Sequence, residues 1–230
     1  MIGSAGALGV SAPKEATFFV IATFVGAPST CCSQINSNTN QMPKLDQPQG
    51  LRLLASQEGV RAWPGGFGFA KVGANYGPTL MATREAAQRG YHQVLWLLDG
   101  HVTEAGASNL FVVWKTKDGK LQLVTAPLDD KIILDGVTRR SILQLARERL
   151  ADGSSGLEAI EIVERRFTME EVFTVIQEGR MVEAFAAGTA VSSAARFSIS
   201  HTTNLVTVLR LPSLLHWLQG GRSRYPNDPG

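Results

Sequence analysis

Cysteine is almost missing from this chain: Cys31 and Cys32, side by side, are the only two among 230 residues. Neighbouring cysteines rarely bridge one another, so no disulfide framework is expected, and nothing in the spacing makes a zinc or other metal site. A reducing compartment is the simplest expectation. Long apolar runs are missing too. The longest, residues 16–24, falls far short of the roughly 20 residues that a membrane-spanning helix needs. No basic stretch precedes an apolar one at the N-terminus, so no secretory signal is visible. An excess of one charge is also lacking. The formal net charge is +2 and no run of Lys or Arg exceeds a pair, which argues against a nucleic acid or a membrane as partner. There is no internal repeat. What remains is a globular composition, 44% hydrophobic and 18% charged, in a length that allows one or two domains.

The texture changes along the chain. Residues 17–22, Thr-Phe-Phe-Val-Ile-Ala, are β-rich and predict a buried strand. Residues 28–50, full of Ser, Asn, Gln and Pro, predict a long exposed loop. From there to about residue 199 the pattern is globular. After the glycine bend 65–68, helical spacing runs over 76–89 and Gly90 suits its C-terminal end. Strands are predicted over 93–97, 109–114, 121–125 and 160–164, with Asp118-Gly119 as a hairpin turn. Residues 138–150 form a strong amphipathic pattern. Thr168-Met169-Glu170-Glu171 resembles a capping box that opens a helix toward Gly179. A short strand over 182–185 then leads to a turn of small residues, 186–190.

The run Gly65-Gly66-Phe67-Gly68-Phe69-Ala70-Lys71 invites a phosphate-loop reading, which fails on residue types. A P-loop needs Gly before the Lys and Ser or Thr after it, and here they are Ala70 and Val72. The dinucleotide fingerprint fails as well, since its third glycine would fall on Lys71. Taken alone, the run predicts a tight turn before a strand.

Its flanks carry more. Arg61-Ala62-Trp63-Pro64-Gly65-Gly66, then Lys71-Val72-Gly73-Ala74-Asn75-Tyr76, closely resembles the cofactor-lysine segment of branched-chain aminotransferases. Further matches follow in that family's order: residues 93–97, then Val102-Thr103-Glu104-Ala105-Gly106, then 127–139, then Gly188-Thr189-Ala190. The resemblance implies a fold-type IV α/β architecture, with a small and a large domain and pyridoxal 5'-phosphate in the cleft between them. It divides the chain into a remnant of the small domain (1–27), an interdomain loop (28–50), a large cofactor-binding domain (51–200) and a divergent tail (201–230). It implies transfer of an amino group between leucine, isoleucine or valine and 2-oxoglutarate, a homodimer in the full-length family, and a cytoplasmic or mitochondrial setting.

The implied roles follow residue by residue. Lys71 carries the cofactor covalently and shuttles the α-proton, which calls for a packed site between the glycine turn and an apolar strand. Glu104, in a Glu-x-Gly turn, keeps the pyridine nitrogen protonated so that the ring can accept electrons. Tyr76 hydrogen-bonds the ring's phenolic oxygen. Val137 and Thr138, at the start of the strongest helix, offer unpaired amides to the phosphate, and Thr189 adds a hydroxyl. Ala190 and Ala107 fall on the substrate-carboxylate site. Arg61 belongs to the cofactor site's surroundings or to a structural salt bridge. Three departures stand out: Ala107 replaces a threonine, Asp135 a proline, and Phe67-Gly68-Phe69 a small polar stretch. The resemblance implies a small domain before Leu8, most of which this sequence is expected to lack. The alternative is therefore a catalytically impaired fragment or paralogue that retains a cofactor site; a D-amino acid aminotransferase or a pterin-pathway lyase fits the motifs less well.

Overall fold

The computed structural model describes residues 2–4, 12–22, 51–56, 58–153, 158–188, 191–195, 197–200 and 205–208. The chain divides into two compact units, Met1–Gln41 and Met42–Gly230. In the first, β1 (Ile2–Ser4) pairs antiparallel with β2 (Glu15–Thr17). The buried strand expected over 17–22 does not form: the strand ends at Thr17, and Phe18 is 75% exposed. Residues 18–21 have the propensity of a strand, but burial needs a layer to pack against, and all four side chains are exposed. The loop expected over 28–50 lies outside the described residues.

The second unit is a mixed sheet carrying helices. Its strands are β3 (Leu51–Ala55), β4 (Gln93–Leu98), β5 (His101–Ala105), β6 (Ser108–Lys115), β7 (Leu121–Thr125), β8 (Ile160–Glu164), β9 (Met181–Gly188), β10 (Val191–Ala195), β11 (Phe197–Ser200) and β12 (Leu205–Val208). They run β10-β9-β6-β5-β4-β3-β12-β11 across the sheet, and β7 and β8 extend it from β6. Strand β6 is flanked along its whole length. Its start pairs with β5, the rest with β7, and its other edge with β9. That makes it the centre of the core, and its side chains are buried from Ser108 to Trp114.

Alternation along β6 serves two layers. Phe111 and Val113 pack toward α2 (Val137–Arg149), where Ile142, Leu143, Ala146 and Leu150 supply the apolar stripe. Leu110, Val112 and Trp114 pack on the other side with Phe167, Val172 and Val175 of the α3 region (α3, Met169–Gln177). A third cluster sets Ala86 of α1 (Thr79–Gln88) against Val94 and Trp96 of β4.

Helix α1 starts three residues later than the spacing predicts. Pro78 disfavours the α region at Gly77 and itself stands at the N-cap, so residues 76–78 stay outside the helix, and residues 73–75 form a separate 3-10 turn. Half of the expected capping box forms. The Thr168 hydroxyl accepts from the Glu171 N–H at 3.0 Å, but the Glu171 carboxylate turns to the Arg165 guanidinium, a stronger charged donor than a backbone amide.

Glu164 joins the sheet to α2 by accepting from Arg139 and Arg147. Burial pushes its carboxyl up, but the Arg147 and Arg139 hydrogen bonds and charges outweigh this and hold it below the ordinary value of 4.5. The folded chain therefore keeps this group ionised after the unfolded chain has begun to protonate. Its stabilisation is present above 4.5 and is lost as pH falls through the lowered value. Urea unfolding from about pH 6 to about pH 3 should show that acid limb, and Glu164→Gln should flatten it.

Candidate active site

Three segments meet at one end of the central strands. The first is the loop 58–72. Gly68 is buried at its bend, where an added Cβ would stand 2.4 Å from the Ile132 carbonyl oxygen and 2.6 Å from the Ala62 Cβ. Arg61, 2% exposed, lies beneath this bend and donates from Nη2 to the carbonyls of Gly68 and Ile132. Asn75 donates to the carbonyls of Phe67 at 2.6 Å and Ala70 at 2.8 Å, tying the chain after Lys71 to the chain before it. Gly68→Ala should cost about 1–3 kcal/mol in urea unfolding, because the clash is with backbone that cannot swing away. Gly73→Ala, with nothing within 4 Å of the new Cβ, should be close to neutral.

The second segment is β5. Glu104 is 1% exposed and sits opposite Asn109 in the β5–β6 register. Its Oε1 accepts from the Leu134 N–H at 2.9 Å and from Asn109 Nδ2 at 3.2 Å. Its Oε2 lies 2.9 Å from Arg61 Nε. That contact is one of charge without aligned hydrogen-bond geometry, so Oε2 has no hydrogen-bond donor among the described residues. Burial pushes the Glu104 carboxyl above the ordinary carboxylate range. The Arg61 guanidinium, the Leu134 N–H and the charge of Lys71 pull against it.

The third segment is the loop before α2. Gly136 is the N-cap in an extended conformation (φ −65°, ψ 136°) and no side chain caps the helix. The first-turn amides therefore have no side-chain cap, and such amides suit an anion. Asp135, where the family pattern has proline, pairs with Arg140 at 3.4 Å on the surface.

These segments bring Arg61 and Glu104 into contact, with the charge of Lys71 acting on the Glu104 carboxyl, and Val137 and Thr138 open α2 directly after the loop that grips Glu104 through Leu134. Tyr76 is half-buried, with its hydroxyl buried and without a hydrogen-bond partner among the described residues. Val137 is 69% exposed and Thr138 half-buried. Ala107 is exposed in the β5–β6 turn. Thr189 and Ala190 lie outside the described residues.

Two surroundings differ from expectation. Lys71 is exposed rather than packed, and the 3-10 turn, not an apolar strand, follows it. Glu104 is on a strand, not in a turn; the turn is Gly106-Ala107, with Gly106 at φ 58°. Asn75 and Asn109 were not singled out in the sequence, although both stand within five residues of a candidate.

Comparison with known proteins gives the class first. Residues 28–193 match the family model for amino-transferase class IV, and the chain belongs to that family. Nearer relatives are branched-chain-amino-acid aminotransferases. The protein of that name from Dictyostelium discoideum is 41% identical over 201 residues, 87% of this chain and 47% of the relative. The mitochondrial one of Schizosaccharomyces pombe is 42% identical over 192 residues, 82% of this chain and 40% of the relative. Among solved structures, a mutant of the Thermobaculum terrenum branched-chain amino acid aminotransferase is 26% identical with a TM-score of 0.50, covering 72% of this chain and 44% of that one. The chain therefore spans about half the length of the curated relatives it matches. No helix among the described residues is long and apolar enough to cross a membrane.

Proposed function

We propose that this chain carries the lysine-bearing part of a branched-chain-amino-acid aminotransferase, which uses pyridoxal 5'-phosphate to move an amino group between leucine, isoleucine or valine and 2-oxoglutarate, with a second copy of the chain as partner in the full-length form. The observation that carries the reading is a pair of buried oxygens. Among the described residues, Glu104 Oε2 has the Arg61 charge beside it but no aligned hydrogen-bond donor, and the Tyr76 hydroxyl has no partner. Unsatisfied buried polar atoms cost about 1–3 kcal/mol each, so such a pair calls for a polar ligand. A ring bearing a protonated nitrogen and a phenolic oxygen suits both. When bound, the cofactor supplies a protonated ring that takes up the electron pair left at the amino acid's α-carbon.

The chain's own residues do the rest. The Lys71 amine holds the cofactor and then removes and returns the α-proton. The Glu104 carboxylate keeps a proton on the ring nitrogen, and Arg61 acts through it by favouring its charged form. The Tyr76 hydroxyl donates to the phenolic oxygen. The amides of Val137 and Thr138, with the Thr189 hydroxyl, bind the phosphate, where the end of the helix dipole favours an anion. Ala190 and Ala107 border the substrate carboxylate. Borohydride reduction of the cofactor-loaded chain, followed by peptide mapping, is expected to leave a pyridoxyl group on Lys71. A label on any other lysine overturns the assignment.

A further inference from the structure

Asn109 has no part in the roles above, yet it touches both ends of the site. It is 4% exposed and stands opposite Glu104 in the register. Its Nδ2 donates to Glu104 Oε1 at 3.2 Å and to the Leu134 carbonyl at 2.9 Å. Leu134 closes the triangle, since its own N–H reaches the same Oε1 at 2.9 Å. The Leu134 carbonyl also accepts from the Gly136 N–H at 2.9 Å. The other atom of the amide, Oδ1, lies against Gly136 so closely that an added Cβ there would be 2.4 Å from it. One buried side chain therefore grips the carboxylate and the N-cap of α2 at once.

A buried amide that only satisfied itself would need a carbonyl and a donor, wherever they came from. Here its partners are the carboxylate proposed for the ring nitrogen and the turn proposed for the phosphate. A rigid ligand held at two ends gains its full affinity only when the two anchors keep the right separation, and shared hydrogen bonds are a means of keeping it. Resting on the proposed function, we propose that Asn109 is a positioning residue that holds Glu104 and the first turn of α2 in one frame, so that the ring end and the phosphate end of the cofactor are bound as a unit.

The test uses the full chain with pyridoxal 5'-phosphate and with pyridoxal, which lacks the phosphate. The dissociation constant of pyridoxal divided by that of pyridoxal 5'-phosphate reads the phosphate end. The pH midpoint of the bound cofactor's visible absorbance reads the ring end. Asn109→Ala should lower that ratio by about tenfold, the upper range for one lost hydrogen bond, and shift the midpoint as well. Gly136→Ala approaches from the opposite side. Its Cβ meets the tip of a side chain and not backbone, so it should fold even if Asn109→Ala does not. Although it alters only the helix end, it should displace the Asn109 amide and move the midpoint too. A variant that changes one readout and leaves the other at the parent value overturns the proposal, as does one that changes neither. Failure of the parent chain to take up cofactor on Lys71 removes the functional reading and this proposal with it. A parent labelled on Lys71 beside unresponsive variants removes this proposal alone.

Discussion

Lys71→Ala is expected to abolish turnover, by about 10⁴-fold or more, with almost no change in stability. The two halves of that expectation have separate grounds. The chemistry needs one amine that both holds the cofactor and moves the α-proton, and no other residue is proposed for that role. The stability of the loop rests elsewhere: Asn75 bonds to the carbonyls of Phe67 and Ala70, and Arg61 to that of Gly68, none of which involves the Lys71 side chain. Since Lys71 is exposed, its truncation should fall within about 0.5 kcal/mol of neutral in urea unfolding. Exchange of the leucine α-hydrogen for solvent deuterium measures the proton-transfer step directly. Exchange at the parent rate in Lys71→Ala would falsify the assignment. Lys71→Arg keeps a cation near Glu104 but offers no usable amine, so it should fail in the same assay while preserving the electrostatic setting of the carboxylate.

Much of this layout is legible in the sequence, and the exceptions have physical reasons. Strands β7 and β8 fall on the residues that alternation predicts, and α2 within one residue of its expected limits, because long periodic segments fix their own faces. Strand β5 escaped detection. Its sequence, His-Val-Thr-Glu-Ala, places a charge at a position that is buried, against the usual pattern. The available signal was Asp99-Gly100, both at positive φ, which forms a two-residue turn between Leu98 and His101. With that turn recognised, Glu104 becomes a strand residue and its partner across the ladder becomes Asn109. Residues 17–22 mislead in the opposite direction, since their apolar character is real but their burial is not. The contacts around Arg61 and Glu104 could not be read from spacing, because Ile132 lies 71 residues from Arg61 and Leu134 lies 30 residues from Glu104, and both reach the site only through the fold.

Glu104→Gln should have the second large effect, and it acts on folding and chemistry together. The amide keeps the size of the side chain and can still accept from Leu134, but it removes the charge beside Arg61. A guanidinium only 2% exposed is then left with carbonyl partners alone, and breaking a buried pair in this way costs about 3–5 kcal/mol. Arg61→Met in the same background should recover part of that loss, since the stranded cation goes with it. The chemical effect is separable by pH. Burial pushes the parent carboxyl up, so the folded chain takes up this proton before an ordinary carboxyl at 4.5 would. By sign, that contribution to stability is complete below 4.5 and is lost as pH rises through the raised value, opposite to Glu164. In the role proposed for Glu104, the same protonation would take the anion from the ring nitrogen. The loaded parent should therefore show an acid-side absorbance transition that Glu104→Gln lacks. At neutral pH the variant should retain cofactor yet remove the leucine α-hydrogen about 10²–10³-fold more slowly, since the electron sink has lost its fixed countercharge. A purely structural Glu104 predicts a lower melting temperature with an unchanged single-turnover rate and an unchanged acid transition, and that combination would refute the role assigned to it.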